Sequence, residues 1–271
     1  MEIRRFKLKI TSYERIPVLD HGYVELIESW GSDERIIEAA RMSTDKGFLG
    51  WGPKYVCDKC RVEGVEGLET CIEGSCLGTV KRVEGDEKLL KYLYEHKHAT
   101  PFEMAGAVFE IQAPIMVFRE WHRHRTQSYS ELSARYTSLP NVNYVPTVER
   151  LMLNSKTNKQ AGTIKGADEL TEEGARAYIW DLECEYKDQE EFYQRSLKMG
   201  VPKELARVHI GVGRYSRMRA QANLRNWLAF LTLRMAPDAQ WEIRQYANIV
   251  GEQLSKLYPR TWELFSSGRS K

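Results

Sequence analysis

Trp121-His122-Arg123-His124-Arg125-Thr126-Gln127-Ser128-Tyr129-Ser130-Glu131-Leu132-Ser133-Ala134-Arg135-Tyr136 carries the densest chemistry in the chain, and it follows directly on the apolar run Ile115-Met116-Val117-Phe118. Pro114 suits the first turn of a helix, and the apolar spacing predicts that this helix runs to about Arg125, buried over much of its length. On such a helix Glu120, Arg123 and His124 stand at i, i+3 and i+4 and share a face. Two arginines and a histidine at the end of a buried helix need anionic or hydrogen-bonding partners, because unpaired buried charge is costly. Phosphate fits: the guanidinium fork binds it bidentately, and serine hydroxyls with exposed backbone N–H groups complete a cradle. The competing interpretation is a solvated basic patch paired with surface acids, and the flanking hydrophobicity weighs against it.

Upstream, a strand is predicted over Ala107 to Gln112, and Leu89, Leu90, Leu93 and Tyr94 recur at helical spacing within Asp86 to His96. Alternation at Tyr23 to Ile27 predicts a strand, and Asp33 to Met42 a helix with acidic residues in its first turn. Downstream, residues 141–168 read as polar loop. A long charged helix spans about Thr171 to Met199, stopped by Gly200 and Pro202. Two more helices are predicted near Gln221 to Met235 and Asp238 to Leu257. Asn223 and Arg234, eleven residues apart, then share nearly one azimuth roughly 16 Å apart along the axis. That geometry suits an extended ligand or, equally, a solvated polar stripe.

Residues 47–85 break the helical pattern and read as an insertion. Within it, Cys57-x2-Cys60-x10-Cys71-x4-Cys76 supplies four thiolates from two short turns, enough to close a tetrahedral zinc site with no open position, hence structural. The alternative, unmetallated thiols in a surface loop, leaves a segment with few large apolar side chains and nothing to staple it. Cys184, alone in the charged helix, reads as a half-buried packing residue.

At 271 residues, 42% hydrophobic and 29% charged, the chain suits one globular catalytic domain carrying that insertion. A net charge of +2 leaves no global footprint for nucleic acid or membrane. No run approaches the roughly 18 apolar residues of a membrane span, the N-terminal residues show no leader pattern, and the bunched cysteines do not suggest a secreted disulfide framework. A cytoplasmic location is expected.

Arg123-His124-Arg125, seven residues, then Ser133 resembles the RHR-x7-S signature of flavin-dependent thymidylate synthases, and Arg135-Tyr136 also fits. His98-Ala99-Thr100-Pro101-Phe102-Glu103 resembles the family's H-x-T-P-F-E segment. Ala39 to Ser43 is similar to its first helix, and Ala239 to Tyr246 to its C-terminal helix. The four segments run in the family order over nearly the whole chain apart from the cysteine insertion and the N-terminus. The resemblance implies an α+β fold, a central mostly antiparallel sheet flanked by helices, in one domain (1–271) interrupted by a zinc-ribbon-like insertion (47–85). It also implies a homotetramer whose active sites draw on several subunits.

The resemblance further implies FAD as cofactor, with NADPH and methylenetetrahydrofolate as co-substrates, and dUMP methylated by hydride from reduced flavin without a protein nucleophile. By the same resemblance Ser43, Arg123, His124, Arg125, Asn223 and Arg225 match flavin contacts, with His98 and Thr100 in a flavin-lining segment. Glu131, Ser133, Ala134, Arg135, Arg207 and Arg234 match nucleotide contacts, Glu131 and Arg123 serving both ligands. Arg234 is the expected catalytic residue, because a guanidinium at the uracil edge stabilises developing negative charge. Ser133 lies close to the base, but a serine without an adjacent general base is a poor nucleophile.

Three positions depart from the family pattern: Glu120 where many members have Gln, Ala229 where Asn is common, and Asp238 where His is common. Glu120, at a substrate-binding position, adds a charge that needs a partner, for which Arg123 and Arg119 are the candidates. It also motivates an alternative outcome, a flavin- and folate-dependent hydroxymethylase. A second alternative, from another class, is a non-catalytic zinc-containing nucleic-acid-binding protein, with steeply salt-dependent affinity.

Overall fold

The computed structural model describes residues 14–60, 63–64, 70–71, 76–153, 162–164 and 167–269. The N-terminal residues 1–13, parts of the cysteine insertion and part of the predicted 141–168 loop lie outside the described residues. In chain order the elements are β1 (Ile16–Val18), β2 (Gly22–Trp30), α1 (Asp33–Arg41), a 3-10 turn (Met42–Thr44), β3 (Lys54–Cys57), β4 (Glu63–Gly64) and β5 (Val80–Val83). Then come α2 (Glu87–Glu95), α3 (Ala99–Glu103), β6 (Gly106–Pro114), α4 (Ile115–Trp121), β7 (Ser128–Glu131), α5 (Val148–Met152) and α6 (Glu172–Lys198). The chain continues through α7 (Lys203–Ala206), β8 (Tyr215–Asn223), α8 (Leu224–Arg234), α9 (Trp241–Leu257) and α10 (Pro259–Arg269).

The fold is mixed α and β, with a five-stranded sheet of order β1-β2-β6-β8-β7 in which β1 pairs β2, and β7 pairs β8, antiparallel. A second sheet of order β4-β3-β5, antiparallel in both pairings, lies wholly inside residues 47–85. The chain divides into two compact units. Unit 1 comprises Met1–Glu28, Ala107–Ala222 and Ala229–Glu252, and unit 2 comprises Ser29–Gly106, Asn223–Leu228 and Gln253–Lys271.

In unit 1, the central strands bury Val24, Leu26, Phe109, Ile111, Met218 and Ala220, and α4 buries Val117, Phe118 and Trp121. Gly22 has a packing reason: a Cβ there would lie 1.9 Å from the Tyr246 hydroxyl, which donates to the Gln112 carbonyl at 3.0 Å. In unit 2, α1 packs on α2, α3 and α10, burying Ile36, Ile37, Leu90, Leu93 and Phe102. Ser32 caps α1 by accepting from the Arg35 N–H, and Thr171 caps α6 by accepting from Gly174. The buried Asp33 carboxylate accepts from both backbone N–H groups of Arg260 and Thr261 at 2.8 and 3.1 Å, tying α1 to the first turn of α10.

Several expectations are corrected. The helix predicted to Arg125 ends at Trp121: the His122 N–H makes its last helical bond to Phe118, and the next N–H groups close turns, His124 to Trp121 and Gln127 to His124. Trp121 Nε1 donates to Gln127 Oε1 at 3.0 Å and fixes that turn. Pro114 is the residue before the helix, closing β6, rather than part of its first turn. Gln221 to Asn223 belong to β8, and helix α9 starts at Trp241, not Asp238. Strands β7 and β8 and helices α3, α5 and α10 are additions to the predicted elements. Cys184 is exposed on α6, because the side of the helix that carries it faces solvent.

Candidate active site

The predicted site residues fall into a group in unit 1 and a group in unit 2. In unit 1, Arg234 ends α8 and points its guanidinium at the end of α4. Its Nε donates to His124 Nε2 at 2.9 Å, Nη1 to Glu120 Oε2 at 2.9 Å and Nη2 to the Glu120 carbonyl at 2.9 Å. Three of its five N–H groups are committed, so one proton on each terminal nitrogen remains for a ligand. The partner expected for Glu120 is corrected here. Arg234 neutralises it, not Arg123 or Arg119, because the helix stops at Trp121 and Arg123 lies beyond its end. Glu120, Arg123 and His124 therefore share no helical face; Glu120 and His124 meet through Arg234.

His124 packs edge-on against Phe230 at 4.8 Å, and Phe230 stacks on Trp121 at 4.5 Å. Burial, followed by the Arg234 charge, depresses the His124 pKa from 6.5 to about 4, against a smaller opposing pull from Glu120. The ring is therefore neutral at pH 7. Since Nε2 accepts from Arg234, the proton sits on Nδ1, which is left as a donor. Because the folded pKa lies below the unfolded one, this group's contribution is fully present above pH 6.5 and is lost as pH falls towards 4. Replacing His124 by Gln is expected to make the fall in melting temperature across that window shallower than in the parent, and parallel curves would refute this account.

The segment after β7 forms a compact turn. Ser133 Oγ accepts from the Arg135 N–H at 3.3 Å, and its carbonyl accepts from the Tyr136 N–H at 3.0 Å. Ala134 is buried, and Arg135 reaches Glu204 of α7 at 3.4 Å. Arg207 is the residue that closes α7, so Arg135 and Arg207 both lie at one short helix. Arg123, Arg125 and Glu131 are exposed, and their side chains make no hydrogen bond or ion pair among the described residues. Of the two settings expected for the basic end of the helix, an interior or an interface, the single chain does not bury it in an interior.

In unit 2, three of the candidates, His98, Thr100 and Arg225, meet at α3. His98 precedes its first turn, Thr100 lies within it, and both are exposed. Arg225, in the first turn of α8, pairs with Glu103 at 2.6 Å. Ser43 sits in the 3-10 turn after α1, exposed, its hydroxyl donating to the Ala40 carbonyl at 3.3 Å. Asn223 is not within the helix as predicted. It ends β8, and its side chain caps α8 by accepting from the Asn226 N–H at 3.0 Å. A cleft of about 530 Å³ in unit 2, lined by Glu87, Tyr94, Arg260 and Glu263 among others, includes none of the predicted site residues.

Sequence reasoning missed Phe230 and Glu103. Glu103 stood inside a quoted motif without a role, while Phe230 looked like any other apolar residue of a core helix. It also missed Glu110, a buried carboxylate on β6 that accepts from the Tyr23 hydroxyl at 2.9 Å and from Arg219 Nε at 3.1 Å. The exposed Arg217 and Arg219 alternate along β8 with buried Met218 and Ala220. That alternation is the signal for the strand.

The four cysteine sulfurs of the insertion all lie within 4.8 Å of one another. Cys57 and Cys76 are 3.7 Å apart, and Cys60 and Cys71 3.4 Å. The Cys60 N–H, with lesser help from Lys59 and the neighbouring thiols, holds the Cys57 thiol down at about 7 against burial.

The family described as thymidylate synthase complementing protein matches residues 25–260. A flavin-dependent thymidylate synthase of Thermus thermophilus is 36% identical over 250 residues, 92% of this chain and 77% of that protein. The enzyme of the same description from Wolbachia pipientis wMel is 33% identical over 253 residues, 93% of this chain and 76% of that protein. Among solved structures, the UMP/dUMP methylase PolB from Streptomyces cacaoi bound with 5-Br UMP superposes with a TM-score of 0.69 at 28% identity. That match covers 94% of this chain and 97% of that one.

Proposed function

The chain belongs to the flavin-dependent thymidylate synthase family and is a methyltransferase of that kind; on this premise we propose that it methylates dUMP to dTMP with FAD bound, methylenetetrahydrofolate as one-carbon donor and NADPH as reductant. The observation that carries the proposal is the three-point clamp on Arg234, which leaves one proton on each terminal guanidinium nitrogen uncommitted. Donors fixed in advance stabilise charge without reorganising at the moment of reaction. A uracil ring polarised at its carbonyl oxygens fits that need, and the solved neighbours bind bromo-UMP and bromo-dUMP.

The donor set of unit 2 suits a dinucleotide. Ser43 in the turn after α1 and His98, Thr100 and Arg225 at α3 offer hydroxyl, imidazole and guanidinium groups, and Arg225 sits at the N-terminal turn of an eleven-residue helix whose dipole favours phosphate. When bound, reduced FAD supplies the hydride that completes the methyl group. Arg123, Arg125, Arg135 and Arg207 bind the phosphates, His124 offers its Nδ1–H, and Ser133 orients the base without acting as a nucleophile, since its hydroxyl has no basic partner. The exposure of Arg123, Arg125 and Glu131 in the single chain supports a homotetramer in which neighbouring copies complete each site. In this reading, residues 47–85 are an insertion in the catalytic domain, and the protein works in the cytoplasm. Among the described residues no helix is long and apolar enough to cross a membrane.

Anaerobic incubation of the FAD-loaded protein with dUMP, methylenetetrahydrofolate and NADPH is expected to yield a nucleotide heavier than dUMP by one CH2. An extra oxygen in the product would establish the hydroxymethylase instead. A purified protein that is colourless and takes up no FAD would remove both.

A further inference from the structure

The described side chains of the ribbon β4-β3-β5 are mostly exposed or half-buried. Among its described residues from Lys54 to Val83, only Cys57 and Gly78 are buried, while Leu77 and Val83 are 88% and 39% exposed. A three-stranded sheet of this size is marginal on its own, and small domains of this kind are commonly stapled by disulfides or metal. Among the described residues of the ribbon, the groups that converge are the four sulfurs. The edge of a zinc–thiolate tetrahedron with 2.3 Å bonds is about 3.8 Å. The sulfur separations, 3.4 and 3.7 Å within pairs and none above 4.8 Å overall, bracket that value and are far longer than a disulfide.

The surrounding backbone is shaped around the cluster. The Cys71 N–H donates to the Gly78 carbonyl at 3.0 Å, and the Asp58 N–H to Thr79 at 3.0 Å. The Asp58 carboxylate accepts the Thr79 N–H at 2.9 Å and pairs with Lys81 at 3.1 Å. These bonds lock the two cysteine turns face to face. Gly78 leaves room for sulfur: a Cβ there would stand 2.2 Å from Cys57 Sγ.

We propose that Cys57, Cys60, Cys71 and Cys76 hold one zinc ion and that this metal staples the ribbon. Binding releases the four thiol protons and forms four Zn–S bonds, with no change of oxidation state. All four coordination positions come from the protein, so the ion takes no part in the reaction.

Elemental analysis of the full-length protein, purified without added metal, should find about one zinc per chain. Gly78→Ala, which keeps every thiol but crowds Cys57, should release its zinc to a competing chelator roughly 10-fold more readily. Cys60→Ser should lose the ion, and Cys184→Ser, on exposed α6, should keep it. Hydrogen exchange after metal removal should accelerate in peptides covering β3 and β5 while those covering β8 stay protected. Iron in place of zinc, disulfides in unreduced protein, or a metal-free ribbon with protected amides would each overturn the proposal. None of these measurements reads nucleotide or flavin chemistry, so they stand or fall apart from the proposed reaction.

Discussion

Replacing Arg234 by alanine is expected to lower kcat for thymidylate formation by roughly 10²–10³-fold, the scale seen when one preorganised donor is removed from a developing negative charge. The side chain is 16% exposed and its position is set by Glu120 and His124 together. Arg234→Lys should rescue little, because an ammonium cannot donate to His124 and to both Glu120 acceptors while still presenting two protons to a ligand. Steady-state kinetics on FAD-loaded protein decides this. The role assigned to Arg234 fails if kcat stays within about tenfold of the parent, or if only KM moves, which would mark uniform binding rather than transition-state stabilisation.

The second large effect concerns stability. Arg214 is completely buried, donating to Glu190 Oε2 at 2.7 Å, to the Pro140 carbonyl at 2.9 Å and to Asn141 Oδ1 at 3.3 Å. It thereby ties the loop that follows the Ser133–Arg135 turn to α6. Arg214→Met should cost about 3–5 kcal/mol, because it strands the Glu190 carboxylate, 14% exposed, together with two loop acceptors. In a chain of this size that is a fall of roughly 10 °C in melting temperature. Adding Glu190→Leu should recover part of the loss, since the orphaned charge is then gone. A single variant that melts with the parent would show that the pair adds nothing.

Long, strongly patterned elements could be read from the sequence. Helices α1, α2 and α6 fall within two residues of their predicted bounds, because capping residues and apolar spacing act locally. What escaped depended on tertiary partners. Strand β7, Ser-Tyr-Ser-Glu, has no apolar run and exists because β8 pairs with it. Strand β8 ends in Ala220-Gln221-Ala222-Asn223, whose alanines read equally well as helix, so from sequence alone the start of α8 extends back over Gln221 to Asn223. The end of α4 was missed because a tryptophan–glutamine hydrogen bond, not a proline or glycine, stops it.

At the site, residue types pointed to a phosphate ligand and to Glu120 as a charge in need of a partner, while the pyrimidine came from the family resemblance. They could not identify that partner, since Arg234 lies 114 positions away. The correction changes what Glu120 does. It is an anchor for the proposed catalytic arginine rather than a loose charge, so its departure from the common Gln keeps a hydrogen-bond acceptor at the same place.

Asp86 has a further consequence. Fully buried, it receives the Leu49 N–H on its carboxylate at 2.8 Å, and its own N–H donates to the Gly50 carbonyl at 3.0 Å. The two chain ends of the cysteine ribbon are thus fastened to each other at their base, like the ends of a loop closed by a clasp. A segment whose ends already touch can be removed, exchanged or transplanted without pulling on what it leaves behind. A short linker from Gly50 to Asp86 should leave α1 and α2 where they are.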